Sequence, residues 1–191
     1  MPRPASTPRD ESADPEVPDA DPEAVARQIL LRRLTDRPRS RSELAKALAK
    51  RDVPDEIATR LLDRFEEVGL IDDEAFARTW VQSRMSSKGL SRRALAAELR
   101  RKGVSDEMSR AVLDEVDGDQ EVEAARRLVR RKIRSTRGLD AQVRIRRLAG
   151  MLGRKGYPPG LALGVVREEL RAEEHGADES FDAAQLDEVV D

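Results

Sequence analysis

The chain has 191 residues, of which 39% are charged, 38% hydrophobic and 3% aromatic; it holds no cysteine and a single histidine, His175. That length suits one ordinary domain or a short array of small ones, and without cysteine there is no disulfide framework, thiolate metal site or thiol nucleophile. The net charge of -2 conceals an asymmetry: residues 1–23 carry two arginines against seven acids, residues 173–191 carry eight acids and no Lys or Arg, and the body between them holds 34 basic against 23 acidic residues, a net of +11.

The first 22 residues contain six prolines and no apolar periodicity, so they cannot bury enough surface to offset the entropy of ordering and are expected to be disordered. They lack the apolar stretch of a secretory signal, and nowhere do eighteen apolar residues run together, which predicts a soluble, cytoplasmic chain with no membrane contact.

Helical spacing begins near residue 24 and stops by Pro38. A second helix is predicted from Ser40, with Glu43 three positions on as a capping box and Leu44 and Leu48 on one face. A third follows Pro54, with acids in its first turn, where the helix dipole favours them; its apolar stripe is Ile57, Leu61, Leu62 and Phe65.

The pattern then restarts. Residues 73–86 carry Phe76, Trp80, Val81 and Met85 at helical spacing up to Gly89; a helix opens at Ser91, and another follows Ser105 with Met108, Val112, Leu113 and Val116. Sliding the chain on itself by 51 residues pairs 40–65 with 91–116 and gives ten identities in 26 positions, among them Ser40/Ser91, Arg41/Arg92, Leu44/Leu95, Leu48/Leu99 and Val53/Val104. A third, more divergent copy covers a helix near 120–134 ending at Gly138, then Leu148 and Leu152, which lie 53 residues beyond Leu95 and Leu99, then "RKGY" at 154–157 against "RKGV" at 101–104, then a helix after Pro158.

A fifty-residue unit buries only about 60% of its unfolded surface and is marginal alone, so the units are expected to stack. The predicted fold is all-α: three tandem three-helix repeats at 23–71, 72–119 and 120–172, forming an elongated, curved array between tails at 1–22 and 173–191. The last segment is read as a disordered acidic tail, in which Phe181, Leu186, Val189 and Val190 supply at most a weak induced helix.

Residues 126–155 hold twelve basic residues against the single acid Asp140. Mixed charges normally limit repulsion on a solvated helix face, so this excess points to a polyanion or an acidic protein surface, with a merely solvated face, or the arginine bias of a GC-rich genome, as the alternatives. The candidate contact residues are Arg126, Arg127, Arg130, Arg131, Lys132, Arg134, Arg137, Arg144, Arg146, Arg147, Arg154 and Lys155. A smaller patch on the second unit comprises Arg84, Lys88, Arg92, Arg93, Arg100, Arg101 and Lys102.

The second and third helices of each unit outline a helix-turn-helix, but the helix that would enter a groove carries Asp55, Glu56, Asp63, Glu66 and Glu67 in one unit and Asp106, Glu107, Asp114, Glu115 and Asp117 in the next, which phosphates repel. Aromatic residues for stacking on single strands are scarce, and Trp80 is expected in a core. With one histidine, in the acidic segment, there is no histidine-based acid–base pair or nitrogen-ligand metal cluster, and no phosphate-cradling or dinucleotide glycine motif occurs. No enzyme activity and no cofactor are expected.

The run "GLIDDEAFARTWVQSRMSSKGLSRRALAAELRRKGV" from Gly69 to Val104 resembles the signature region of RecX proteins, bacterial regulators of the RecA recombinase. The resemblance rests on Gly69-Leu70-Ile71-Asp72-Asp73, Phe76-Ala77, Trp80-Val81, Arg84, Lys88-Gly89, Leu95, Glu98-Leu99 and Lys102-Gly103-Val104, and "LLRRLTDRPRSRSEL" from Leu30 to Leu44 is similar to that family's opening helix pair. It extends over about 24–172, more loosely in the third unit. It implies a protein that lies in the helical groove of the RecA–DNA filament and inhibits RecA in recombination, DNA repair and the SOS response; a monomer with weak, salt-sensitive DNA contact is expected beside it. The alternative is an autonomous basic module that acts by occupying DNA.

Overall fold

A computed structural model of the chain describes residues 21–187, with side chains to His175. The described residues form helices and turns with no strand. The first unit holds α1 (Pro22–Asp36), α2 (Arg41–Ala49) and α3 (Asp55–Glu67); the second holds α4 (Asp73–Lys88), α5 (Arg92–Lys102) and α6 (Asp106–Asp114). The third holds α7 (Gly118–Ile133), a 3-10 turn (Arg134–Thr136), α8 (Ala141–Arg154) and α9 (Pro159–Asp187). The all-helical, three-repeat architecture read from the sequence is therefore present.

Local chemistry sets the helix ends. Ser40 accepts from Glu43 N at 3.2 Å while Glu43 accepts from Ser40 N at 3.4 Å, completing the capping box. Ser91, Ser105 and Asp72 cap α5, α6 and α4 with the first half of that arrangement, each accepting from the amide three residues on that the helix itself leaves unpaired.

Each unit has its own core. Leu30, Leu44, Leu48, Leu61, Leu62 and Phe65 close the first; Phe76, Ala77, Val81, Leu95, Leu99, Val112 and Leu113 the second; Leu128, Val129, Leu148, Leu152, Tyr157, Val165 and Val166 the third. Trp80 packs at the edge of the second core with its ring stacked on Phe76, centroids 5.7 Å apart. Ile57 and Met108, read as stripe residues, are partly buried against their cores.

The units are joined by a contact that occurs twice. At the first joint, Ser40 Oγ donates to the Lys102 carbonyl at 2.6 Å and Arg41 N donates to Asp73 Oδ1 at 2.7 Å. At the second, Ser91 N donates to the Lys155 carbonyl at 3.0 Å and Arg92 N donates to Glu121 Oε1 at 2.9 Å. In each case the start of one unit's second helix rests on the last turn of the next unit's second helix, which ends in a glycine. A β-carbon on Gly103 would lie 2.2 Å from Ser42 Cβ, and one on Gly156 would lie 2.5 Å from Ser91 Oγ and 2.8 Å from Ala94 Cβ. Ser40 and Ser91 are fully buried. The repeated Ser-Arg and Lys-Gly pairs are thus the two halves of a joint.

The second joint adds apolar contact, with the Gly89 position against Leu128 and the Tyr157 hydroxyl donating to the Gly89 carbonyl at 3.2 Å. The expected boundary between third unit and acidic tail at 172/173 falls inside α9, which continues to Asp187. Expectations for 1–20 and 188–191 lie outside the described residues.

Candidate partner-binding surface

Basic residues of the second unit divide by what holds them. The Arg84 guanidinium lies 4.1 Å and the Lys102 ammonium 4.4 Å from the Trp80 ring centroid, an arrangement the ring's negative face favours. Trp80 Nε1 donates to Glu98 Oε2 at 2.8 Å, and Lys102 Nζ reaches across the first joint to Glu43 Oε1 at 2.7 Å. Burial alone would raise the Glu43 carboxyl; the hydrogen bond and charge of Lys102, the Ser40 amide and Arg37 outweigh it and hold the group below its ordinary range. Arg92 pairs with Asp114 at 2.7 Å and Arg100 with Asp106 at 3.3 Å. Lys88, Arg93 and Arg101 are exposed and form no ion pair among the described residues.

The third unit's basic run splits along helical geometry. On the side facing α9, Arg126 pairs with Glu168 at 3.0 Å, and Arg130 makes a two-pronged contact with Glu169 at 2.8 and 2.9 Å. Arg137 donates to Glu173 at 2.7 Å and Arg144 donates to the other oxygen of the same carboxylate. Burial works to raise Glu173, but the Arg144 and Arg137 hydrogen bonds prevail and keep it below the ordinary carboxylate range. These four arginines are paired within the unit.

The other eight form no ion pair among the described residues. Arg127, Arg131 and Arg134, spaced four and three apart, form an exposed stripe. Lys132, Arg146, Arg147 and Arg154 line a cleft of about 480 Å³ between the 3-10 turn and α8, together with Ser135, Thr136, Leu148 and Met151. No acid lines that cleft, which therefore presents concentrated positive charge beside two hydroxyls and a small apolar floor. Lys155 is half-buried at the second joint.

Sequence reading missed the internal partners because they are distant. Glu168 and Glu169 lie 42 and 39 residues from Arg126 and Arg130, and Glu173 was assigned to the tail. The signal available was acids one turn apart at 169 and 173, immediately after a basic region. The exposed acids Asp106, Glu107 and Asp114 of α6 and Glu115 at its C-terminal cap agree with the charge argument against that helix entering a DNA groove.

Three family models match in chain order: the first three-helix domain of RecX on residues 26–65, the second on 72–113 and the third on 119–166. The chain belongs to the RecX family. The regulatory protein RecX of Streptomyces coelicolor is 55% identical over 168 residues, covering 86% of this chain and 89% of that one. The regulatory protein RecX of Thermobifida fusca is 54% identical over 150 residues, covering 78% of this chain and 81% of the relative. A crystal structure of RecX from Lactobacillus salivarius superposes with a TM-score of 0.71 at 18% identity, covering 78% of this chain and 97% of that chain, a likeness of fold. A second crystal structure, of a regulatory protein RecX, gives 0.66 at 25% identity over 74% of this chain and 70% of that one.

In this RecX-family chain the stretch that carries the resemblance is largely a folding signature. Ile71, Phe76, Leu95 and Leu99 are core, Asp72 caps α4 through Ala75 N at 2.8 Å, and Asp73, Lys102 and Gly103 build the first joint. The cations free to meet a partner lie mostly outside it, on the third unit. Among the described residues no group of His, Cys, Asp or Glu is placed to hold a metal ion, and no helix is long and apolar enough to cross a membrane.

Proposed function

We propose that this RecX-family protein regulates RecA, mainly as an inhibitor, by lying along the helical groove of the RecA–DNA filament with its third unit against phosphates or acidic side chains. This reading places the protein in the cytoplasm, acting in recombination, DNA repair and the SOS response as a binding protein without cofactor or catalysis. Family membership supports the regulatory role. The observation that carries the contact is the division of the basic run: four arginines are neutralised by α9, and seven of the other eight cations, all but the half-buried Lys155, are exposed without an ion-pair partner among the described residues. Such charges set association rate and salt sensitivity more than affinity.

The test is the single-stranded-DNA-dependent ATPase of RecA titrated with this protein, beside binding to bare DNA at two salt concentrations. Wild type should inhibit well below one molecule per RecA protomer under conditions where bare-DNA binding is weak. Reversing Arg127, Arg131 and Arg134 to Glu should abolish inhibition and leave helicity and denaturation midpoint unchanged, because none of the three is used internally among the described residues. A folded triple variant that inhibits like wild type would refute the basic-surface mechanism. Inhibition that tracks bare-DNA occupancy would instead identify the autonomous DNA-binding module.

A further inference from the structure

We propose that both ends of the three-unit array are built as stops, which keep a second copy of this chain from stacking onto it through the joint that its own units use.

The joint has two halves, a serine-led helix start and a glycine-ended helix turn, and each terminal unit carries an altered half. Asp52 lies 51 residues before Gly103, in the same repeat position, and is the one non-glycine with positive φ among the described residues, at +54°. It is exposed. A β-carbon at Gly103 would collide with Ser42, and one at Gly156 with Ser91 and Ala94; the Asp52 side chain stands where a preceding unit would have to sit. A side chain in the left-handed region is strained, though Asp tolerates it better than most, so this position carries a cost that a glycine would avoid.

The other end is blocked differently. "KGLS" at 88–91 leads into α5, whereas "RGLD" at 137–140 leads into α8. The offset between the two units is 49 at Gly89 and Gly138 but 53 at Leu95 and Leu148, so four residues have been added between them. Accordingly α8 begins four residues early in the Leu95/Leu148 register and, ending one residue sooner, has 14 residues against 11 in α5. Four residues are one helical turn, about 6 Å of extra helix, projecting where the serine-led start would meet a neighbour. Its cap is Asp140, whose carboxylate accepts from Gln142 N at 2.9 Å and which puts an exposed charge where Ser40 and Ser91 put a small neutral side chain that the joint buries completely. The residue now in the serine register is Arg144, held by Glu173.

A head-to-tail contact that does not close into a ring grows into a filament, and terminal repeats need faces that refuse another repeat. Two independent stops mean that opening one is insufficient. The experiment is sedimentation velocity over a hundredfold concentration range on full-length wild type, Asp52→Gly, a tail-opened variant (deletion of 140–143 with Arg144→Ser, restoring "RGLS"), and the combination. Wild type and both single variants should remain monomeric, while the combination forms species that grow with concentration. A combined variant that stays monomeric with wild-type helicity overturns the proposal, as do wild-type oligomers dispersed by Asp52→Arg. Should the deletion impair folding, Asp52→Gly decides: its urea midpoint should equal or exceed wild type, and a lower one shows that Asp52 serves the fold of its own unit.

Discussion

Replacing Gly156 by alanine separates the cost of a backbone conformation from the cost of a joint. Gly156 has φ +91° and Gly138 φ +82°, but an added β-carbon meets Ser91 and Ala94 at the first and nothing within 4 Å at the second. Gly138→Ala should therefore cost only the left-handed term, about 1–2 kcal/mol. Gly156→Ala adds overlap with Ala94 Cβ at 2.8 Å and Ala94 N at 3.1 Å, atoms fixed to α5 that cannot swing aside. Overpacking of this kind costs about 1–3 kcal/mol more, for a total of roughly 2–5 kcal/mol. With a urea dependence of about 1–3 kcal/mol per molar, the two midpoints should differ by roughly 1 M, read by far-UV circular dichroism. Coincident midpoints would show that close approach does not govern this position and would refute the joint as described.

Three further outcomes follow from the polar contacts. Tyr157→Phe should lower stability by about 1–3 kcal/mol, since the Gly89 carbonyl loses its buried donor. Burial and the nearby Glu121 charge push the Tyr157 hydroxyl up to about 12; a raised group of this kind gives stability that is complete below its unfolded value near 10 and is lost as pH rises through about 12, so the alkaline unfolding of the Phe variant should be shallower. Glu173→Gln should lower the thermal midpoint, and because the carboxyl is held below its ordinary value, the wild-type advantage is present above pH 4.5 and vanishes as the pH falls through the folded value; a gap that persists in acid would contradict the pairing. Lys102→Met should cost about 1–3 kcal/mol through the stranded Glu43 carboxylate, and Glu43→Gln in the same chain should recover part of it in a double-mutant cycle.

Much of the fold was legible because it is local. The Ser40–Glu43 box, the Leu44/Leu48 and Leu95/Leu99 faces and the 51-residue period fix helix starts, buried stripes and unit number without reference to anything distant. The joints were visible only as unexplained identities: Ser40/Ser91 and the Lys-Gly pairs repeat, but sequence does not say that the start of one helix rests on the end of another 62 residues away. Charge misled for the same reason. Counting residues 126–155 showed the excess, yet whether Arg130 meets solvent or Glu169 depends on how α9 folds back over α7. The shift of offset from 51 to 53 was legible as divergence, and its meaning as an added turn required seeing α8 begin early.

The chain has one tryptophan and one tyrosine, and the fold puts them at different seams. Trp80 touches Lys102, whose ammonium bridges to Glu43 in the first unit, while Tyr157 spans the second seam to Gly89. Emission excited selectively in the indole therefore reports on the first seam and the edge of the second core beside it, and the tyrosine absorption band reports on the second seam. When the protein is pulled, heated or loaded onto a partner, the order in which its two seams part can be read from unlabelled material in a single cuvette.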